Sequence, residues 1–140
     1  MIKRPVAWLE YRDGFRYQLV RDCTQQTPVT GYDIDTEYIR LYRDGEITLR
    51  HGYASDGASG PTFHTRNSIR ASFVHDAFYY LIRIGLISMD CKAPVDSLFR
   101  AMLLEDGMWQ IRAAWWYLAV KTQGANSLYP SKEKPILRAP

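Results

Sequence analysis

The chain has 140 residues, of which 46% are hydrophobic and 14% are aromatic. A chain of this length can bury one core without disulfides or metals, and its apolar content excludes a disordered or low-complexity protein. Its 18 Lys and Arg against 15 Asp and Glu give a net charge of +3, with basic residues interspersed among acidic ones. We therefore expect no nucleic-acid partner, because such proteins concentrate positive charge on one surface.

The sequence also indicates a protein made in the cytoplasm with no membrane partner. Residues 1–5 lack the apolar stretch of a signal peptide, and the longest apolar run, at 113–120, is far shorter than the roughly 20 residues that span a bilayer. Cys23 and Cys91 lie in no CxxC or Cys/His spacing, so two reduced thiols are expected.

The first 55 residues are predicted to form β-hairpins. β-branched and aromatic residues alternate with polar ones around two Asp-Gly turns, at Asp13-Gly14 and Asp44-Gly45, and Asp-Gly is a strong hairpin signal. In the second hairpin one face is apolar and the opposite face carries tyrosine and arginine. Strands are expected near residues 6–11, 15–22, 35–42 and 46–52, with a loop at 24–31; the apolar face comprises Ile39, Leu41, Ile47 and Leu49, and the opposite face Tyr38, Arg40 and Tyr42.

From about residue 67 the apolar spacing becomes that of helices. Three are predicted near residues 68–84, 93–106 and 108–122, with Gly85 and Gly107 ending the first two. On the first helix His75 and Tyr79 share one face. The core-facing stripe of that helix is assigned to Ile69, Phe73, Ala77 and Leu81.

The third helix is rich in large aromatic residues. Its core-facing stripe is assigned to Ile111, Trp115, Leu118 and Ala119. Adjacent residues cannot all face inward, so Trp116 or Trp109 is expected to be partly exposed and to mark an interface. A helix that is buried on most of its sides is the alternative.

These patterns predict an α+β fold, a small antiparallel β-sheet of hairpins followed by about three helices. The single domain is assigned to residues 1–123, with hairpins at about 6–52 and helices at about 68–122. Beyond residue 123 the composition shifts to Asn, Ser, Pro and Lys without periodicity, so 124–140 is assigned to a C-terminal tail.

A cluster of acidic, imidazole and hydroxyl residues in the middle of the chain is the candidate site. One hypothesis is a buried hydrogen-bond network that ties loops to helices. A second is a metal centre, in which a zinc, manganese or magnesium ion would activate water for hydrolysis. The network would comprise Asp56, Ser59, His75, Asp76, Tyr79 and Asp96, and the metal ligands would be Asp56, His75, Asp76 and Asp96.

A nucleophilic Ser59 with His75 as base, or His75 and Asp76 as an acid/base pair, completes the catalytic candidates. Ser59 lies in no Gly-x-Ser-x-Gly elbow, which disfavours the serine mechanism. We expect no cofactor if the cluster is a network and a divalent metal if it is a hydrolytic centre. The sequence favours a protein that is not an enzyme, but it leaves open both the hydrogen-bond network and the hydrolytic metal centre.

Several motifs, in order, resemble the domain of unknown function 1353 family of small tailed-phage and prophage proteins. They are Asp56-Gly-Ala-Ser59-Gly-Pro61, Ser72-Phe-Val-His75-Asp76-Ala-Phe-Tyr79-Tyr80-Leu81, Val95-Asp96-Ser-Leu-Phe99, Glu105-Asp106-Gly107-Met108, Arg112-Ala113 and Tyr117-Leu-Ala-Val120.

The resemblance suggests a gene carried by a tailed phage or prophage. Together with the surplus of aromatic residues, it favours a component of the virion, in its tail or neck, whose partners would be other phage proteins or further copies of the chain. The alternatives are a metal-dependent hydrolase acting on peptidoglycan or a phosphoester, and an accessory protein that inhibits a host enzyme.

Overall fold

The computed structural model describes residues 11–12, 17–55 and 66–127. Within these residues short strands precede three α-helices, which confirms the α+β fold class. A 3-10 turn at Met89–Cys91 leads into the second helix. The elements are β1 (Tyr11–Arg12), β2 (Tyr17–Leu19), β3 (Cys23–Gln26), β4 (Ile34–Asp35), β5 (Ile39–Leu41), β6 (Glu46–Leu49), β7 (Ala54–Ser55), α1 (Arg66–Arg83), α2 (Lys92–Glu105) and α3 (Gln110–Ser127).

The strands form two antiparallel sheets, one of order β3-β6-β5-β4 and one of order β1-β2-β7. In the four-stranded sheet, alternation places the apolar side chains of β5 and β6 on the core side, as predicted. Tyr38 and Tyr42 lie on the exposed side, and Arg40 between them is half-buried. The buried set is Ile39, Leu41, Ile47 and Leu49.

The predicted loop at 24–31 is wrong in its first part, because β3 lies there as an edge strand paired with β6. Thr24 faces Thr48, and their hydroxyl oxygens are 3.1 Å apart. The sequence Cys-Thr-Gln-Gln has little apolar alternation, since only Cys23 reaches the core and the other residues of β3 are at least partly exposed. The strand conformation of β3 therefore depends on its pairing with β6, and the local sequence does not reveal that pairing.

The predicted hairpin turn at Asp44-Gly45 is confirmed between β5 and β6. Tyr42 and Glu46 close it through a 2.9 Å backbone hydrogen bond, and Gly45 has φ +90°. The Gly45 carbonyl accepts hydrogen bonds from both the backbone and the side chain of Thr27, at 3.0 and 2.7 Å. Gly45 therefore lies against the segment that follows β3. The first predicted turn, Asp13-Gly14, lies outside the described residues, although β1 and β2 on its two sides are paired.

Replacing Gly45 by Ala should destabilise the protein more than replacing Gly31 by Ala. Both glycines have positive φ, so both substitutions strain the backbone by about 1 to 2 kcal/mol. A methyl group at Gly45 would also collide with the carbonyl oxygen of Thr27, whereas at Gly31 it meets no atom within 4 Å. Urea unfolding of the two variants measures the difference. Equal losses of stability would contradict this account of the turn.

The helices pack in chain order, with α2 contacting both α1 and α3. The predicted core stripe of α1 is confirmed, because all four of its residues are buried. Gly85 and Gly107 follow α1 and α2 with φ +79° and +91°, as expected of helix C-termini. The third helix extends to Ser127, past its predicted end at 122, and residues 128–140 lie outside the described part.

Both cysteines are free thiols, as predicted: Cys23 is buried and Cys91 is half-buried. None of the helices among the described residues is long and apolar enough to cross a lipid bilayer.

Candidate functional site

A buried carboxylate, Asp96, lies at the centre of the predicted cluster. It sits near the start of α2, and the residue is only 1% exposed. Its Oδ1 accepts a hydrogen bond from the Tyr79 hydroxyl at 2.6 Å and lies 2.7 Å from Nε2 of His75. Its Oδ2 accepts a hydrogen bond from Nζ of Lys92 at 2.7 Å. Because an ionised carboxylate only accepts, Nε2 of His75 carries the proton that bonds it.

Two pairs with helical i,i+4 spacing build this arrangement. On α1, the rings of His75 and Tyr79 lie against each other with centroids 4.1 Å apart and planes tilted by 38°, which confirms that they share a face. On α2, Lys92 and Asp96 form an ion pair with the same spacing. Since α1 packs against α2, the two pairs meet and their four polar ends converge.

Aromatic rings separate this cluster from water on the side of α3. The ring of Phe99 lies 5.0 Å from that of His75 and 6.2 Å from that of Trp116 on α3. Phe99 and Trp116 are both buried. The hydrogen bonds to Asp96 are therefore made in a poorly solvated environment, where electrostatic interactions are strong.

The electrostatics of the cluster follow from burial and bonding together. Burial raises the pKa of Asp96, but the hydrogen bonds from His75, Lys92 and Tyr79 outweigh it and leave that pKa below its usual value. Burial and the neighbouring Asp96 raise the pKa of Tyr79, so its hydroxyl stays protonated and continues to donate. Asp96 is thus ionised and bonded on both oxygens.

Lys92 extends the cluster to the third helix, because its Nζ also donates a 3.2 Å hydrogen bond to the backbone carbonyl of Lys121. The network therefore joins α1, α2 and α3. Sequence reasoning missed Lys92, which lies one residue before the predicted start of the second helix at 93; its i,i+4 spacing to Asp96 was the available signal. Among the described residues, no buried side-chain nitrogen or oxygen lacks a hydrogen-bond partner.

The structure brings together three of the six candidate residues, namely His75, Tyr79 and Asp96. Asp76 is half-buried, and its negative charge adds to the effect of burial in raising the pKa of Tyr53. Asp56 and Ser59 lie outside the described residues. Within the described part of the chain, no group of three His, Cys, Asp or Glu side chains is placed to hold a metal ion.

A second buried network, which sequence reasoning missed, surrounds Arg70 on α1. Its guanidinium donates to both carboxylate oxygens of Asp106, with the Nη2 contact at 2.9 Å, and to Glu105 at 3.0 Å. It also bonds the side-chain oxygen of Gln25 on β3. These partners lie 35 to 45 residues away in the sequence, so no local pattern indicates them. The network joins α1, the end of α2 and the sheet.

The predicted core stripe of α3 is wrong, because three of its four residues face away from the core and the fourth, Ala119, is half-buried. Ile111, Trp115 and Leu118 are 88%, 55% and 54% exposed. The core contacts come instead from Ala113 and Trp116, which are buried, with the partly buried Val120. Both sets have helical spacing, so periodicity alone cannot tell which one meets α2.

The two candidate interface residues are placed very differently. Trp109 is 84% exposed, whereas Trp116 is 2% exposed and packs in the core beside Phe99. Trp116 therefore offers no surface in the single chain, and Trp115 takes the exposed position. An open groove of about 610 Å³ lies at the start of α3. It is lined by Gly107, Trp109, Ile111, Arg112 and Trp115.

Comparison with known proteins finds one family. The family model described as "Protein of unknown function (DUF1353)" matches residues 32–120, from the segment before β4 to near the end of α3. No curated protein and no solved structure matches the chain. The matched region contains the Asp96 cluster and the exposed face of α3.

Proposed function

This chain belongs to the domain of unknown function 1353 family, and because that family carries no assigned activity we propose a function from the geometry of the chain itself. We propose that it is a structural or interaction protein of a larger protein assembly. The observation that carries the proposal is the exposed apolar stripe of α3, formed by Ile111, Trp115 and Leu118 and called here the outer face of α3.

The outer face lies opposite the side of α3 that meets the core. At about 100 degrees per residue, Ile111, Trp115 and Leu118 fall on the reverse side of the helix from Ala113 and Trp116. A helix at the surface of a monomer normally has polar residues there, and a helix that is apolar on both sides is normally buried. The outer face is therefore an exposed apolar surface that a partner protein can cover.

The size of the exposed side chains supports docking on another protein. Large aromatic side chains are enriched at the centres of protein interfaces, and burying one apolar side chain contributes about 1.5 to 3 kcal/mol. Trp109 lies beside the outer face and is more exposed than Trp115. A patch with two tryptophans can thus supply the anchor residues of an interface.

The Asp96 network fits this function as a support for the outer face. Lys92 links the Asp96 carboxylate to the backbone of α3 at Lys121, and Phe99 packs against Trp116 on the inner side of the same helix. These contacts hold α3 in one position relative to α2. A fixed helix reduces the entropy that would be lost on association.

We place the assembly in the tail or neck of a phage particle, with the protein made in the host cytoplasm and then incorporated. The support is the resemblance of the ordered motifs to proteins carried by tailed phages and prophages. Other phage proteins, or further copies of this chain, would be the partners.

Replacing Ile111 by Asp should prevent incorporation of the protein into particles. A carboxylate buried in an apolar interface would be desolvated without a partner, which is costly. The measurement is mass spectrometry of gradient-purified particles from a lysogen that carries the gene. Met89→Asp is the matched control, because Met89 is also an exposed apolar residue but lies outside α3. Particles that never contain the wild-type protein would contradict the proposal.

A metal-dependent hydrolase acting on peptidoglycan or a phosphoester is the second candidate, which one observation favours. The 2.7 Å contact between His75 and Asp96 is the pairing by which a carboxylate orients a catalytic imidazole. Against it, the Lys92 ammonium occupies a position at Oδ2 of Asp96 that a bound cation would need. The candidate ligand Asp56 lies outside the described residues.

If the cluster is structural, the purified protein should melt at the same temperature with and without a chelator, and Asp76→Asn should not change its metal content. Elemental analysis by plasma mass spectrometry, combined with thermal melting, is the measurement. His51→Asn, at an exposed histidine outside the cluster, is the control. Stoichiometric zinc, manganese or magnesium that is lost in Asp76→Asn, with an unchanged melting temperature, would instead favour the hydrolase.

A further inference from the structure

We propose that the outer face of α3 packs along an amphipathic helix of a partner protein, and that acidic residues flank the apolar stripe of that partner helix. The inference rests on the proposed function and specifies the chemistry of the partner. It follows from the spacing of the exposed apolar residues, the small residues beside them and the sign of the flanking charges.

The spacing along the outer face is that of a two-helix seam. Ile111, Trp115, Leu118 and Thr122 follow one another at intervals of four, three and four residues, the alternation of d and a positions in a coiled coil. All four are exposed. The Thr122 hydroxyl donates to the Leu118 carbonyl at 2.8 Å, so it needs no partner from outside the helix. The seam can therefore be covered by an apolar surface.

Small residues beside the seam let a second helix approach closely. In the same heptad frame, Ala114 occupies a g position and Ala119 the e position that follows. Packed helices lie about 8 to 10 Å apart, and the side chains at the contact set that distance. At the start of the helix, the groove between Trp109 and Trp115 has room for a large apolar side chain of the partner.

The charges that flank the seam are all positive. Arg112 occupies an e position and Lys121 a g position, the positions whose charges set partner choice in coiled coils. Residues 107–127 include no Asp or Glu. Among the described residues, no carboxylate forms an ion pair with Arg112 or Lys121. A partner with Glu or Asp beside its apolar stripe complements this pattern.

The same charges disfavour two alternative occupants of the outer face, a second copy of this chain and an anionic membrane. A second copy would present Arg112 and Lys121 again, so the seam would gain no attraction between opposite charges. Proteins usually bind an anionic membrane through clusters of four to eight basic residues, whereas only two basic residues, Arg112 and Lys121, border the outer face. An acidic helix satisfies both the apolar seam and its basic borders.

The test uses the full chain and two designed peptides of three heptads, both with Leu at a and d. One peptide has Glu at e and g, and the other has Lys there. Binding is measured by fluorescence anisotropy of the labelled peptide, with Ile111→Asp as the loss-of-seam variant and Met89→Asp as its control. Arg112→Glu/Lys121→Glu reverses the border charges at two exposed positions, so the fold should be retained.

The expected result is that the Glu peptide binds the wild type at least about tenfold more tightly than the Lys peptide, and that the double variant reverses this preference. Binding should be lost in Ile111→Asp and kept in Met89→Asp. Equal binding of both peptides, or a preference that the double variant leaves unchanged, would overturn the proposal.

Two further outcomes would overturn it while identifying another occupant. Binding to phosphatidylglycerol vesicles without binding of either peptide would indicate a membrane. Self-association in sedimentation that Ile111→Asp abolishes, again with neither peptide bound, would indicate a second copy and leave the proposed assembly function intact. If the protein also fails to enter particles, the proposed function itself fails.

Discussion

Replacing Asp96 by Asn is expected to lower the free energy of unfolding by about 3 kcal/mol, because it removes one partner from a buried charged network. Asp96 accepts hydrogen bonds from three side chains, and the Lys92 ammonium would lose the carboxylate that compensates its charge. The amide group of Asn would also place a donor where donors already converge. Denaturant unfolding gives the value.

Two variants separate the network from a general effect of removing charge. Asp90→Asn removes a carboxylate from an exposed residue just before α2 and should change stability little. Tyr79→Phe removes one of the three hydrogen bonds and should cost about 1 kcal/mol. A loss in Asp96→Asn no larger than in Asp90→Asn would show that the buried carboxylate is not a structural centre.

The pH dependence provides an independent readout of the same group. The pKa of Asp96 is lower in the folded chain than its ordinary value, so the unfolded chain binds the proton more readily. Its contribution to stability is therefore full above the unfolded pKa, near 4, and is lost as pH falls through the lowered folded pKa. The stability difference between wild type and Asp96→Asn should shrink as pH falls below about 4. A difference that stays constant under acid would contradict the assigned bonding.

Local signals predicted the parts of the fold that local sequence controls. The Asp44-Gly45 turn and the helix ends at Gly85 and Gly107 depend on residues that tolerate positive φ, and they were found. The core stripe of α1 was also found, because α1 is covered over most of its length and its apolar residues all face protein. These features do not depend on knowing which elements are neighbours.

The orientation of α3 could not be predicted, for a physical reason. The helix has two apolar stripes with helical spacing, and packing on α2 selects the one with Trp116 rather than the one with Trp115. A helix with one apolar stripe has only one way to bury it. The second apolar stripe, which the fold leaves exposed, is the feature on which the proposed interface rests.

The site was predicted in part because its members come from two helices. His75 and Tyr79 could be placed together from their spacing on α1, but nothing local shows that Asp96 lies against them rather than beside Asp76. Lys92 is likewise visible only as half of an i,i+4 pair on α2. Contacts between helices depend on crossing geometry, which one sequence does not encode in a readable pattern.

Replacing Arg70 by Met is expected to destabilise the protein by about 3 to 5 kcal/mol, the usual cost of removing one partner from a buried ion pair. Arg70 and Asp106 have side chains that are 6% and 10% exposed, so the carboxylate left behind would remain out of water without a partner. The carboxylates of Asp106 and Glu105 outweigh the effect of burial and raise the pKa of Arg70, so the guanidinium is charged under all ordinary conditions. Denaturant unfolding measures the loss.

The two acidic partners of Arg70 should differ sharply, and this contrast is the control. Glu105 is largely exposed, so Glu105→Gln should cost less than about 1 kcal/mol, as for surface ion pairs. Asp106→Asn should cost several times more, because it leaves the buried guanidinium without its main partner. Equal effects at the two positions would show that burial does not decide the strength of this network.

A double-mutant cycle distinguishes a stabilising ion pair from one that mainly fixes the position of the elements it joins. Arg70→Met combined with Asp106→Leu removes both charges, and the pair should then be less destabilised than the sum of the single variants. If the double variant is nearly as stable as wild type, the pair contributes little net free energy. Its role would then lie in holding the end of α2 against α1 and, through Gln25, against β3. A strictly additive result would contradict a direct interaction between the two side chains.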